Sequence, residues 1–105
     1  MWYIYVVRCS DASLYCGITK CVSSRVRKHN TGKGAKYTRS RKPVALVSSA
    51  EVGESKSAAL KAEHAFKKLS RSQKLFFVDA GLDYFLQEYS SVHEKNQSVN
   101  HAAKT

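Results

Sequence analysis

Apolar positions change their spacing along this chain, and each change marks a different element. From Trp2 to Cys9 they fill both alternating faces, with β-branched and aromatic residues throughout. A segment apolar on both sides needs cover on both sides, which predicts the central strand of a sheet. Ser10-Asp11-Ala12 supplies turn chemistry, after which Leu14, Cys16 and Ile18 alternate with Ser13, Tyr15, Gly17 and Thr19. Period two on either side of a turn predicts a hairpin. A helix is expected from Thr19 or Lys20 to a cap near Asn30-Thr31-Gly32, then a basic, glycine-containing loop over Lys33 to Lys42. Pro43 opens a third strand, Val44 to Val52, because proline can begin a strand but cannot sit within a central one. Gly53 ends it.

Helical spacing returns after Ser55 or Ser57, either of which can cap a helix reaching about Leu69. Its apolar stripe is expected at Ala58, Ala62, Ala65, Phe66 and Leu69. Ser70-Arg71-Ser72-Gln73 has the form of a capping box before a short helix, Lys74 to Ala80, which Gly81 stops. Leu82 to Tyr89 is expected to add one or two amphipathic turns within an extension over 81–93, and 94–105 is polar and expected to be disordered. The elements together predict a small α+β domain in which a three-stranded sheet is flanked by helices.

Composition narrows the class. At 105 residues, with 43% hydrophobic and 25% charged side chains, the chain has the makings of one small core and no second. The longest apolar run near the start is too short for a signal-peptide core or a bilayer span, so a cytoplasmic protein without membrane contact is expected. Cys9, Cys16 and Cys21 are odd in number and lack the Cys-x-x-Cys spacing of zinc or redox sites, so reduced, structural thiols are expected.

Charge changes the picture most. Eighteen Lys and Arg against eight Asp and Glu give a net +10. Half of those cations fall between Lys20 and Lys42, a stretch with no acidic residue. A partner with a phosphate backbone is the reading this favours over simple solubility.

Facing then selects candidates for chemistry. Val22, Val26 and His29 share one face of the first helix, and Arg25 lies about 60° from Val22 at roughly 100° per residue. An arginine and a histidine on an apolar face are costly unless they find partners or line a cleft. Snorkelling for Arg25 and a satisfied core or cap position for His29 are the structural alternatives. Glu63, the one acidic residue between Ser55 and Val78, opposes phosphate binding and needs another reason to be there. A pair with Lys67 is too weak a reason; a hard cation such as Mg²⁺, held by one carboxylate plus water and phosphate oxygens, is a sufficient one. Tyr5 and Tyr15 stand on the two paired strands, and Gly17 leaves the backbone bare beside Tyr15. Tyr3 reads as core.

These residues, in this order, resemble the GIY-YIG nuclease superfamily. Tyr3-Ile4-Tyr5 and Tyr15-Cys16-Gly17 are followed by Thr19, Arg25, His29, Gly32 and Glu63. The segments Asn30 to Thr38 and Lys67 to Ser70 are similar to the small UPF0213 group, described as URI-domain endonucleases. Tyr3 stands where the family name has glycine, and Cys16 where it has isoleucine.

The resemblance covers Trp2 to about Val78 and implies a nuclease-like domain over residues 1–80, a GIY-YIG type fold and metal-dependent DNA hydrolysis. It implies Tyr5, Tyr15, Arg25, His29 and Glu63 as catalytic residues, with Glu63 binding Mg²⁺ or Mn²⁺. The basic loop residues Lys33, Lys36, Tyr37 and Arg39, together with Lys67, are then expected to hold single-stranded or branched DNA. No separate DNA-binding domain is seen, so DNA structure, an oligomer or a protein partner would supply target choice. The competing class is a non-catalytic nucleic-acid-binding module, in which the basic loop holds phosphates and Tyr37 stacks a base. A basic structural protein of a larger complex is a third class.

Overall fold

The computed structural model describes residues 1–89. The expectations for 90–93 and for a disordered tail over 94–105 lie outside the described residues. Three strands, β1 (Trp2–Arg8), β2 (Leu14–Thr19) and β3 (Ala45–Gly53), form one antiparallel sheet in the order β2-β1-β3. The central place of β1 follows from its double-faced apolar pattern. Ile4, Val6 and Cys16 look to one side of the sheet, Tyr5, Val7 and Cys9 to the other. The hairpin turn closes at Ala12, which adopts φ 68°.

The Ile4 side carries the larger core. Helix α3 (Lys56–Lys67) lays Ala59, Ala62 and Phe66 on the sheet, and α4 (Arg71–Ala80) closes over it with Phe77 and Val78. Ser55 caps α3 by accepting from the Ala58 amide at 3.1 Å. The buried stripe keeps the expected Ala62 and Phe66, with Ala65 and Leu69 half-buried, but it begins at Ala59, and Ala58 is exposed. Alanine at both contact turns lets the helix backbone approach the sheet closely, leaving Phe66 to fill the space beyond.

The capping box at Ser70 is formed in both directions, Gln73 N to Ser70 Oγ at 3.2 Å and Ser70 N to Gln73 Oε1 at 3.0 Å. It starts α4 at Arg71, three residues earlier than expected, because the residue after a satisfied cap is already helical. A further helix, α5 (82–89), is no appendage. Leu82 and Phe85 are buried in the main core, and the Leu82 amide donates to Ser48 Oγ of β3 at 3.1 Å. The core therefore runs past residue 80.

The Tyr5 side is covered by less. Helix α1 (Val22–Asn30) packs Val22 and Val26 beside Tyr5, Val7 and Val44. It begins later than expected, since Thr19 ends β2 and its hydroxyl accepts from the Cys21 amide at 3.1 Å. Asn30 ties the far end of α1 to the entrance of β3, donating to the Val44 carbonyl at 3.0 Å and accepting from its amide at 2.7 Å. The basic segment is not wholly a loop. Lys36–Arg39 forms a single helical turn, α2. It buries Thr38 completely while Lys36, Tyr37 and Arg39 stay exposed.

No helix among the described residues is long and apolar enough to cross a membrane. Cys9, Cys16 and Cys21 are all free thiols.

Candidate active site

The site begins with a glycine. Tyr5 and Gly17 are direct partners across β1 and β2, and the Tyr5 ring lies flat over the bare backbone. A Cβ at residue 17 would stand 2.5 Å from the Tyr5 hydroxyl and 2.7 Å from the ring carbon that bears it. The glycine thus serves the tyrosine that crosses it, where the sequence had suggested room for a ligand beside Tyr15.

The Tyr5 hydroxyl ends 2.7 Å from His29 Nε2, and His29 Nδ1 lies 2.7 Å from Thr38 Oγ1. All three side chains are sealed from solvent: Tyr5 is 1% exposed, His29 and Thr38 0%. The seal over His29 is Gly34, where a Cβ would come within 2.8 Å of both His29 Cα and Cγ and closer still to Nδ1. Two glycines, 17 residues apart in sequence, therefore admit one buried hydrogen-bonded chain. His29 meets the description of a satisfied buried histidine, with both ring nitrogens occupied.

Burial governs the ionisation of this chain. It pushes the Tyr5 phenol up to about 12, against the opposing effect of a hydrogen bond from the Arg25 side chain. It also pushes His29 below the ordinary histidine value, with the Arg25 charge adding to the same direction. Both groups are neutral near pH 7, as a buried pair without a counter-charge must be.

Around this core lies a half-exposed rim. Arg25 of α1 lies near enough to Tyr5 to lower its pKa, against the larger effect of burial. The Tyr15 ring stands edge-on to His29 at 5.4 Å and stacks with Tyr37 at 5.9 Å. Lys67 of α3 lies 5.4 Å from the Tyr15 ring centroid and 3.6 Å from Glu63. Glu63, with its side chain 18% exposed, is close enough to raise the pKa of buried Cys16, though burial itself is the larger cause. Tyr5, Tyr15, Arg25, His29 and Glu63 are thus linked through a short series of contacts, even though α3 packs chiefly on the opposite face of the sheet. The link exists because α3 passes the edge strand β2.

Lys33, Lys36 and Arg39 are exposed, and so is Lys67, which is engaged with Glu63 and the Tyr15 ring. Tyr37 is engaged. Its ring stacks with Tyr15 and receives the Arg41 guanidinium 3.9 Å from its centroid, and Arg41 donates back to the Tyr37 carbonyl at 2.8 Å. Arg41 also pairs with Asp11 at 3.0 Å, which fastens the α2 segment to the hairpin turn.

The sequence reading passed over Thr38, Gly34, Arg41 and Asp11. The signal available for the first two was a glycine and a threonine set among the lysines of the basic segment.

A divalent cation has one hard oxygen donor group here, Glu63. Among the described residues no cluster of three or more His, Cys, Asp or Glu exists that could cage a metal. A single carboxylate at a half-open rim suits an ion that keeps most of its water and shares the substrate's oxygens, as Mg²⁺ does, and does not suit zinc.

Residues 1–75 match the family model described as the GIY-YIG catalytic domain. The chain is 51% identical over 81 residues to a UPF0213 protein of Haloquadratum walsbyi, spanning 77% of this chain and 90% of that one. It is 51% identical over 79 residues to a UPF0213 protein of Staphylococcus epidermidis, spanning 75% and 95%. Among solved structures it is similar to a protein of E. faecalis, with TM-score 0.50, 45% identity and coverage of 74% and 82%. It is also similar to a UPF0213 protein of Bacillus halodurans, with TM-score 0.49, 43% identity and coverage of 76% and 85%.

Proposed function

The chain belongs to the GIY-YIG family and to its UPF0213 group, and from that premise we propose that it is a divalent-metal-dependent endonuclease acting on single-stranded or branched DNA. The observation that carries the reading is the division of the site into a sealed interior and an accessible rim. A phosphodiester can reach Arg25, Tyr15, Glu63 and Lys67 but not Tyr5 or His29, which are under the surface.

The roles divide in the same way. Hydrolysis needs a water that loses its proton, stabilisation of the charge that builds on the phosphorus-bound oxygens, and a position for the leaving oxygen. Arg25 is the donor aimed at that charge. It stands half-buried on α1, near enough to Tyr5 to lower the phenol's pKa, so its charge is already at the rim before substrate arrives. Burial of Tyr5, which also pushes its pKa up to about 12, favours Tyr15 over it as the group that takes the proton. Tyr15 is the tyrosine in reach of the attacking water. Glu63 would hold the cation, which when bound supplies charge neutralisation at the phosphate and a more acidic water. Lys67 must first leave Glu63 and is then available to the substrate strand alongside Lys33, Lys36 and Arg39.

Purified protein is to be incubated with labelled single-stranded, duplex and branched DNA, with and without Mg²⁺ or Mn²⁺. Metal-dependent cleavage is expected, falling by about 10²- to 10³-fold in Arg25→Ala and lost in Glu63→Gln. No cleavage of any substrate, or undiminished cleavage by Glu63→Gln, would sink the reading. Salt-sensitive binding that is indifferent to Mg²⁺ and to Arg25→Ala would instead establish a non-catalytic binding module.

A further inference from the structure

The buried hydrogen-bonded chain has a direction, and its far end sets it. Thr38 Oγ1 lies 3.0 Å from the Ala35 carbonyl, one turn back along its own helix. A carbonyl oxygen can only accept, so this contact takes the hydroxyl proton of Thr38, beside the Thr38 and Arg39 amides that the same oxygen accepts at 3.1 and 3.2 Å. The Thr38 oxygen is then an acceptor for whatever faces it, and what faces it is His29 Nδ1 at 2.7 Å.

We propose that Thr38 is a positioning residue: its hydroxyl fixes His29 as the Nδ1–H tautomer, so that Tyr5 donates to His29 and turns its oxygen lone pairs toward Arg25. Each step follows from the last. An imidazole protonated at Nδ1 presents a lone pair at Nε2, and the Tyr5 hydroxyl 2.7 Å away is the donor that meets it. The phenol oxygen, its proton pointing at His29, keeps its remaining lone pairs for the guanidinium. In the opposite tautomer Nε2–H and Arg25 would both donate to the same oxygen, and the phenol proton would be buried without an acceptor. That arrangement forfeits a buried hydrogen bond.

Gly34 completes the device. By allowing the segment to lie directly on the imidazole, it excludes a water that could replace the Thr38 hydroxyl and restore tautomeric freedom. The one-turn helix α2 thereby acts on Arg25 from the other side of the site through two intervening side chains.

The inference rests on the endonuclease reading only for its catalytic consequence, and the test separates the two. Long-range nitrogen–proton correlation on the isotope-labelled full chain at neutral pH reports the tautomer directly and needs no substrate. His29 is expected as Nδ1–H in the wild type, as a tautomer mixture or Nε2–H in Thr38→Val, and as Nδ1–H again in Thr38→Ser. In the cleavage assay kcat is expected to fall about tenfold in Thr38→Val with KM within about twofold, and to return in Thr38→Ser. An Nε2–H tautomer in the wild type overturns the proposal, and so does an unchanged tautomer in Thr38→Val. Should Thr38→Val fail to fold, the wild-type spectrum still decides. If the wild-type protein cuts no DNA, the endonuclease reading falls while the tautomer assignment stands or falls on the spectra alone.

Discussion

Strand β1 sends alternate residues to two surfaces that share a backbone and differ in almost everything else. Ile4 and Val6 face a core of alanine, phenylalanine and leucine closed by three helices. Tyr5 faces a histidine and a threonine under one helix and a single helical turn. The first surface is held by apolar burial, which is tolerant of detail. The second buries polar groups that cost free energy unless every one is matched, so its geometry is far more tightly specified. Stability is concentrated on one side of the sheet and placement of chemistry on the other. Glu63 joins them, being rooted in a core helix and presented at the rim of the site.

Substitutions that act on one side only are the sharpest probes of this division. Phe66→Ala removes the largest fully buried apolar side chain of the core. It is expected to cost about 3–5 kcal/mol, measured by chemical denaturation, whereas Arg25→Ala is expected to leave the denaturation midpoint nearly unchanged while removing activity. A large loss of stability in Arg25→Ala would show that the two surfaces are not separable.

Gly34→Ala comes next. The added methyl must displace the imidazole it touches, and a cost of about 1–3 kcal/mol is expected, together with a loss of cleavage greater than the loss of folded protein. Stability equal to the wild type would mean that the segment can lift from His29 freely.

The third probe is pH. His29 titrates below the ordinary histidine value in the folded protein, so the unfolded chain binds a proton that the folded chain refuses. Stability is therefore level above about pH 6.5 and falls as pH drops from there toward the lower native value. Asp11, whose pKa is lowered chiefly by hydrogen bonds from Ser13, adds its own loss only further down, in the carboxylate range. Denaturation midpoints that do not change between about pH 7 and pH 5 would contradict a neutral, sealed His29.

The smallest effect is expected at the rim. Lys67→Met breaks an i,i+4 pair and is expected to alter stability by no more than about 0.5 kcal/mol. Binding to labelled DNA should nevertheless weaken, with a shallower dependence on salt. An unchanged salt slope would remove Lys67 from the substrate path.

Much of the larger surface was legible beforehand. The double-faced pattern of Trp2 to Cys9, the turn at Ser10 to Ala12 and the caps at Ser55 and Ser70 are local signals, and each element they announce is present. The exchange of Ala58 for Ala59 at the head of the α3 stripe shows the limit of such reading, because neighbouring alanines are equivalent until a sheet is brought against one of them. The site was legible only as a set of residue types. That Arg25 and His29 lie on the apolar side of α1 follows from helical spacing, but what they meet there does not.

The amino-acid sequence by itself determined the order of the elements, the central place of β1, the family and the basic character of the face that would receive a nucleic acid. The family rests on the resemblance of the ordered motif residues from Tyr3 to Glu63, and the rest on periodicity, turn chemistry and charge, which are properties of neighbouring residues. Tertiary structure alone decided that Tyr5 and His29 are buried, that Gly17 and Gly34 leave them the space, and that Thr38 closes the chain. The physical reason is that hydrogen bonds between side chains far apart in sequence leave no periodic trace, and that a glycine's purpose is read from the atom occupying the space its missing side chain would fill.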